Sequence, residues 1–258
     1  MKLLLLLSLG LGLGLSPVWS QELSLQAPNS TFPYVDQKNG IGNSCGPTAL
    51  LNAFGSGDKN WHSCYQKIPG TSDRARIASV IKSWGQKPSE TLPNRNRWQI
   101  KGGVNFSDLA VMAEEMRKLH WNLPKIKSEL FFTPPGNESK RQLNSAHKRL
   151  RKSLKKGFPP ILSVRRFAYR DGQWQSVHGH FVVLTALPDK IARDSRSFPV
   201  EFVDSTGAKR YRGVMTAADE SSPLPCLVLD CSASAIGKNY IRSDEKHTLG
   251  FAGAIGAW

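Results

Sequence analysis

Leu154-Lys-Lys-Gly-Phe-Pro-Pro-Ile-Leu-Ser-Val164 is the point at which this sequence changes texture. Before it, apolar residues recur at helical spacing. Leu143, Ala146, Leu150 and Leu154 make the stripe of a helix expected over 139–156, and Gly157 stops it. After it, Ile161–Val164 reads as a buried strand. Asp171-Gly172, between Tyr169 and Trp174, is a hairpin signal. Phe181-Val-Val-Leu184, Val200-Glu-Phe-Val203 and Leu227-Val-Leu229 are further strands. Upstream, helices are expected from Gly46-Pro47 to Phe54, from Ser72-Asp73 to Trp84, and from Asn105 or Ser107 to Leu119. Residues 86–104 and 122–137 read as loops. Helices in the first half and strands in the second predict an α+β fold.

The N-terminus has the pattern of a secretory signal peptide over residues 1–20. Met1-Lys2 precedes an apolar stretch from Leu3 to Leu15, and small residues at Val18 and Ser20 place a cut near Ser20–Gln21. The stretch is shorter than the roughly 20 apolar residues that a membrane span takes. The expectation is an exported chain, secreted or periplasmic, whose working part is residues 21–258 and holds no transmembrane segment. Lys and Arg number 35 against 20 Asp and Glu, a formal charge of +15. Such a chain attracts polyanions. No RNA- or DNA-binding motif accompanies the charge, so no specific nucleic-acid recognition is expected. The helix over 139–156 carries eight Lys/Arg and no acid. It is either a solvated face or a docking surface for an acidic partner.

Three short stretches carry chemistry. In Asn43-Ser-Cys-Gly-Pro-Thr-Ala-Leu50 a thiol sits where an irregular segment enters a helix. The positive end of the helix favours thiolate, and its unpaired N–H groups can receive an oxyanion. In His178-Gly-His180-Phe-Val-Val-Leu184 a histidine immediately precedes a buried strand. His180 is the expected general base, with His178 in reserve. Metal binding by the two is disfavoured, since a zinc site needs three or four ligands and no further motif supplies them; no metal and no cofactor are expected. In Phe202-Val-Asp204-Ser-Thr-Gly207 a carboxylate ends a strand, where it can orient His180 or merely begin a turn. Of the remaining cysteines, Cys226 and Cys231 would point to opposite faces of an extended strand. A bridge from Cys64 to one of them is the pairing expected in an oxidising compartment.

Together with Phe32-Pro-Tyr-Val-Asp-Gln37 and the stretch quoted first, these motifs resemble those of the peptidase C-thirty-nine-like branch of papain-like cysteine peptidases, kin of the bacteriocin-processing leader peptidases. The resemblance implies a papain-like fold. A helical N-terminal lobe, with the catalytic Cys at a helix start, would pack on an antiparallel sheet lobe carrying His and Asp. It implies Cys45 as nucleophile, His180 as general base and acid, and Asp204 as orienter. Gln37 would be the oxyanion donor, and Asn39, six residues before the cysteine, is the alternative. The expected activity is hydrolysis of a peptide or isopeptide bond, with a peptide or protein as substrate. The same residues could pass the acyl group to an amine instead. The Asp-Cys-Ser motif of NlpC-type cell-wall amidases is absent around Cys45. The reading from another class is a non-catalytic secreted protein that binds through its basic face.

Overall fold

The computed structural model describes residues 22–219 and 224–258; the expected signal peptide over 1–20 lies outside them. Helices form where the sequence offers an apolar stripe and a capping side chain. Asp58 accepts from the N–H groups of Asn60 and Trp61 to start α2 (Lys59–Gln66), following α1 (Cys45–Gly55). Ser72 caps α3 (Asp73–Val80), which runs on as a π turn over Ile81–Gly85. Asn105 caps α4 (Phe106–Arg117). The basic helix is α5 (Asn137–Lys155), with Leu143, Ala146, Leu150 and Leu154 buried as its spacing requires.

The second half is a meander of six strands, five of them long: β5 (Ile161–Arg170), β6 (Gln173–Leu187), β7 (Ser197–Asp204), β8 (Lys209–Thr216), the short β9 (Leu227–Asp230) and β10 (His247–Gly256). Each pairs antiparallel with the next. β10 then returns to β5, from Ile255 opposite Ile161 to His247 opposite Ala168, and closes a six-stranded barrel. Two further strands attach to it, β1 (Leu25–Gln26) on β6 and β4 (Lys127–Leu130) on β10. β2 (Trp98–Gln99) and β3 (Gly103–Val104) form a separate ribbon ahead of α4.

The papain-like α+β architecture, a helical lobe packed on a sheet lobe, is therefore not the fold. Over the described residues the molecule is mainly a closed antiparallel barrel with two added strands and five α-helices. The expectation failed because it took only the short apolar runs as strands. β6 extends well before Phe181 through Gln173, Gln175 and Ser176, a stretch that pairs with β5, while β7 pairs with it over Val182–Ala186 and β1 over Ala186–Leu187. β8 and β10 were not anticipated at all. β8 is rich in Lys and Arg, and β10 in Gly and Ala, so neither shows the apolar alternation of an open half-buried strand.

Alternation along the strands divides the interior into two main cores. Leu162, Val164, Val182, Leu184, Phe202 and Phe251 share one with the α5 stripe. Ile161, Phe181 and Val183 point the other way and join Leu50, Phe54, Leu109 and Met112 of the helices. α1 thereby lies along the outer face of β6, which brings its first residue beside the barrel rim. The expected disulfide is absent, and all four cysteines are free thiols. Cys64 is buried in the helical core, Cys231 in the barrel core, and Cys226 in a small cluster with Phe167, Ala218 and Leu224. Separate apolar environments leave no two of them to bridge. Among the described residues no helix is long and apolar enough to cross a membrane.

Candidate active site

Cys45 is the first residue of α1. Ser44 before it makes no side-chain capping bond, so the opening N–H groups of the helix stay unclaimed by a cap. Gly46 is required by close approach: a Cβ there would lie 2.2 Å from Cγ1 of Val104. The β2–β3 ribbon can thus press against the start of α1, and it forms one wall of the cleft around the sulfur.

His180 begins the buried stretch of β6, and Asp204 is the last residue of β7. Both are buried, and Nε2 of His180 lies 2.7 Å from Oδ1 of Asp204. The same oxygen accepts the Thr206 N–H at 2.7 Å. Asp204 therefore does both things open to it, orienting a ring and starting a turn. With Nε2 engaged, Nδ1 of His180 is the nitrogen left for Cys45, and the two side chains interact.

Burial opposes ionisation of Cys45. The hydrogen bond and charge of His180, helped by the N–H groups of Phe181 and Gly46, outweigh it and hold the thiol below its ordinary value. Burial likewise opposes the charge on His180, and its bonds to Asp204 and Cys45 overcome this and raise it far above an ordinary histidine. Both shifts run toward a thiolate beside an imidazolium. Burial alone dominates at the other cysteines: Cys64 is pushed up to about 11, Cys226 up to about 12, and Cys231 is raised as well.

Gln37 opens a 3-10 turn over Gln37–Asn39. Its N–H donates to the Ser205 carbonyl at 2.9 Å, and Asp36 accepts the Gly207 N–H at 2.7 Å. These bonds fasten the turn to the residues just after Asp204. Ser205 Oγ donates to the Phe181 carbonyl at 3.1 Å and lies 3.4 Å from that of Cys45. Gln37 lines the cleft with Cys45, His180 and Asp204, and its Oε1 is buried with no hydrogen-bond partner. Asn39 is turned to other use, its amide donating to Asp73 at 3.0 Å.

The structure thus gathers Cys45, His180, Asp204 and Gln37 in one cleft of about 580 Å³. His178 lines it too, but as wall: its ring stacks on Tyr240 at 4.9 Å and lies 6.0 Å from the ring of His180. Burial first, then the charge of His180, lowers its basicity. Sequence reasoning missed Ser205 and Asp36, although each adjoins a residue it named. It also missed Arg165 and Tyr240, for which no local signal exists. Among the described residues, no three His, Cys, Asp or Glu side chains converge to hold a metal ion. In comparisons with known proteins, no family model matches the chain and no curated protein matches it significantly.

Proposed function

We propose that the protein is a thiol hydrolase that cleaves a peptide or isopeptide bond through an acyl-enzyme on Cys45. The observation that carries this reading is the gathering of Cys45, His180 and Asp204 in one cleft, with Nε2 of His180 2.7 Å from Oδ1 of Asp204; there the thiol is made more acidic by the imidazole, and the imidazole more basic by Asp204 and the sulfur. The Cys45 sulfur would attack the carbonyl carbon. The oxyanion would be received by the Cys45 N–H and the Gln37 side-chain amide. His180 would give its proton to the departing amine as the C–N bond breaks, then take one from the water that hydrolyses the thioester. Asp204 would hold the imidazole in orientation throughout. The motif resemblance to the C-thirty-nine-like peptidases agrees with this chemistry. An amine in place of water would make the protein an acyltransferase with the same residues.

The test is cleavage of a peptide library by protein lacking residues 1–20, read by mass spectrometry. Wild type should yield fragments that Cys45→Ala, at unchanged thermal stability, does not. Equal yields from both would contradict the reading. With a leader over residues 1–20 the hydrolase would act outside the cytosol, and exported protein should begin at or near Gln21 on N-terminal sequencing. Recovery of intact Met1 in the membrane fraction would mean an anchored protein instead. A second reading, binding of a polyanion through α5, is favoured by Lys148, Lys152 and Lys156. They lie one helical turn apart, are exposed, and have no acidic partner among the described residues.

A further inference from the structure

Three cations line the cleft, Lys38, Arg165 and Lys209, against a single acid, Asp204, which is committed to His180 and the Thr206 N–H. None of the three forms an ion pair among the described residues. Arg165 is the one built into the floor. On β5 it follows Ile161 and Ser163 on the face that carries the helical core. Across both neighbouring strands the residue opposite it is a glycine, Gly179 on β6 and Gly250 on β10. Gly179 needs no unusual backbone, and a Cβ placed there would meet nothing within 4 Å. β6 could carry a side chain at this position without strain, yet the floor on that side of Arg165 is bare; on the β10 side a Cβ at Gly250 would lie 2.6 Å from Cys226 Sγ and 2.7 Å from the Phe167 ring, so that side is filled. The guanidinium itself is poorly satisfied. Nε is buried with no partner, and the recorded bond of the head group is a long one, 3.5 Å to Ser176 Oγ. A half-buried guanidinium with an unpartnered Nε, lining the same cleft as Cys45 and His180, is arranged to receive a planar anion.

We propose that the substrate is an acidic peptide with a carboxylate close to the bond that is cleaved, and that Arg165 binds this carboxylate. Lys38 and Lys209 raise the potential of the same cleft and draw the anion in. The proposal rests on the reading of this cleft as that of a thiol hydrolase.

Alkylation of Cys45 by two small reagents of equal reactivity type tests it without a known substrate. Iodoacetate carries a carboxylate beside the reacting carbon, and iodoacetamide carries a neutral amide there. In both, the sulfur–carbon bond forms as iodide leaves. The quantity read is the ratio of the two rate constants at Cys45, at pH 6 and low salt. Arg165→Gln should lower this ratio roughly tenfold, the size of effect that a focused local charge exerts on encounter. Arg165→Lys should recover most of it, and Lys190→Gln, an exposed position outside the cleft, should leave it as in wild type. If iodoacetamide labels Cys45 rapidly but the ratio is the same in Arg165→Gln, carboxylate recognition by Arg165 is wrong and the hydrolase reading stands. If neither reagent labels Cys45 at pH 6, the hydrolase reading fails and the inference falls with it.

Discussion

A sulfur that carries charge at neutral pH must find compensation that burial denies it. Cys45 finds it in the imidazole of His180 and two backbone N–H groups, while the cations near Cys64, Cys226 and Cys231 do not offset burial, and those thiols are held above their ordinary value. Removing the imidazole should reverse the balance. His180→Ala leaves burial in force, so low-pH labelling of Cys45 should slow by at least an order of magnitude, the factor that one pKa unit represents (~1.4 kcal/mol). Asp204→Asn should depress turnover more than labelling, because the carboxylate acts on the ring and not on the sulfur. Gln37 is a different case. It touches neither proton carrier, and loss of one oxyanion donor typically lowers turnover about 100- to 1,000-fold. Gln37→Ala should do so with the labelling rate unchanged. If Asn39→Ala is the damaging change, the donor is misassigned, although its amide bond to Asp73 argues otherwise.

At the scale of elements, the site is held by connections among the segments that carry it. The turn after β7 is tied to the strand of His180 and to the start of α1 through Ser205, and to the 3-10 turn of Gln37 through the Ser205 carbonyl and Gly207. Ser205 is fully buried, so Ser205→Ala should destabilise the fold by about 1–3 kcal/mol by leaving the Phe181 carbonyl without a partner. Turnover at temperatures well below the melt should fall too, since the turn that follows Asp204 and holds Gln37 loses its hydroxyl ties to the Phe181 and Cys45 carbonyls. Fluorescence melts and rate measurements on one preparation check both. α5 shows how a charge run is divided. Arg149 pairs with Glu129, and Arg151 and Lys155 share Asp189, whose carboxyl they hold down at about 2. Among the described residues, Lys140 and the aligned Lys148, Lys152 and Lys156 have no acidic partner, and the last three remain for a ligand. Their replacement by Gln should weaken retention on an anionic matrix, and unchanged retention would make them a solvated face only. Exposed charge is screened over about 8 Å at physiological salt, so the effect should vanish as salt rises.

At the scale of the whole molecule, Cys45, His180, Asp204 and Gln37 of the candidate site were legible in the sequence, and the frame that brings them together was not. Cys45 announces itself by Gly46-Pro47, His180 by the β-formers after it, and Asp204 by the turn after it; each signal lies within a few residues. Barrel closure rests instead on β10 pairing with β5, between segments far apart in the chain. The glycines and alanines of β10 gave no apolar alternation to read. For the same reason Arg165 could not be singled out, because its two glycine neighbours lie on other strands and exist only once the register is known. The disulfide expectation failed because it was argued from compartment and spacing, whereas burial places the three other cysteines in separate apolar clusters. A thiol count should find four in denaturant and one fast-reacting group in the native protein, and a melting temperature unaffected by reductant. The central claim, that Cys45 is an activated thiol, is tested most directly by its alkylation rate with iodoacetamide across pH, with each cysteine followed by peptide mapping. Cys45 should label at pH 6, far below the ~8.5 of a free cysteine, with the other three silent until the protein unfolds. Labelling of Cys45 only above pH 8, at the rate of the denatured chain, would contradict the account.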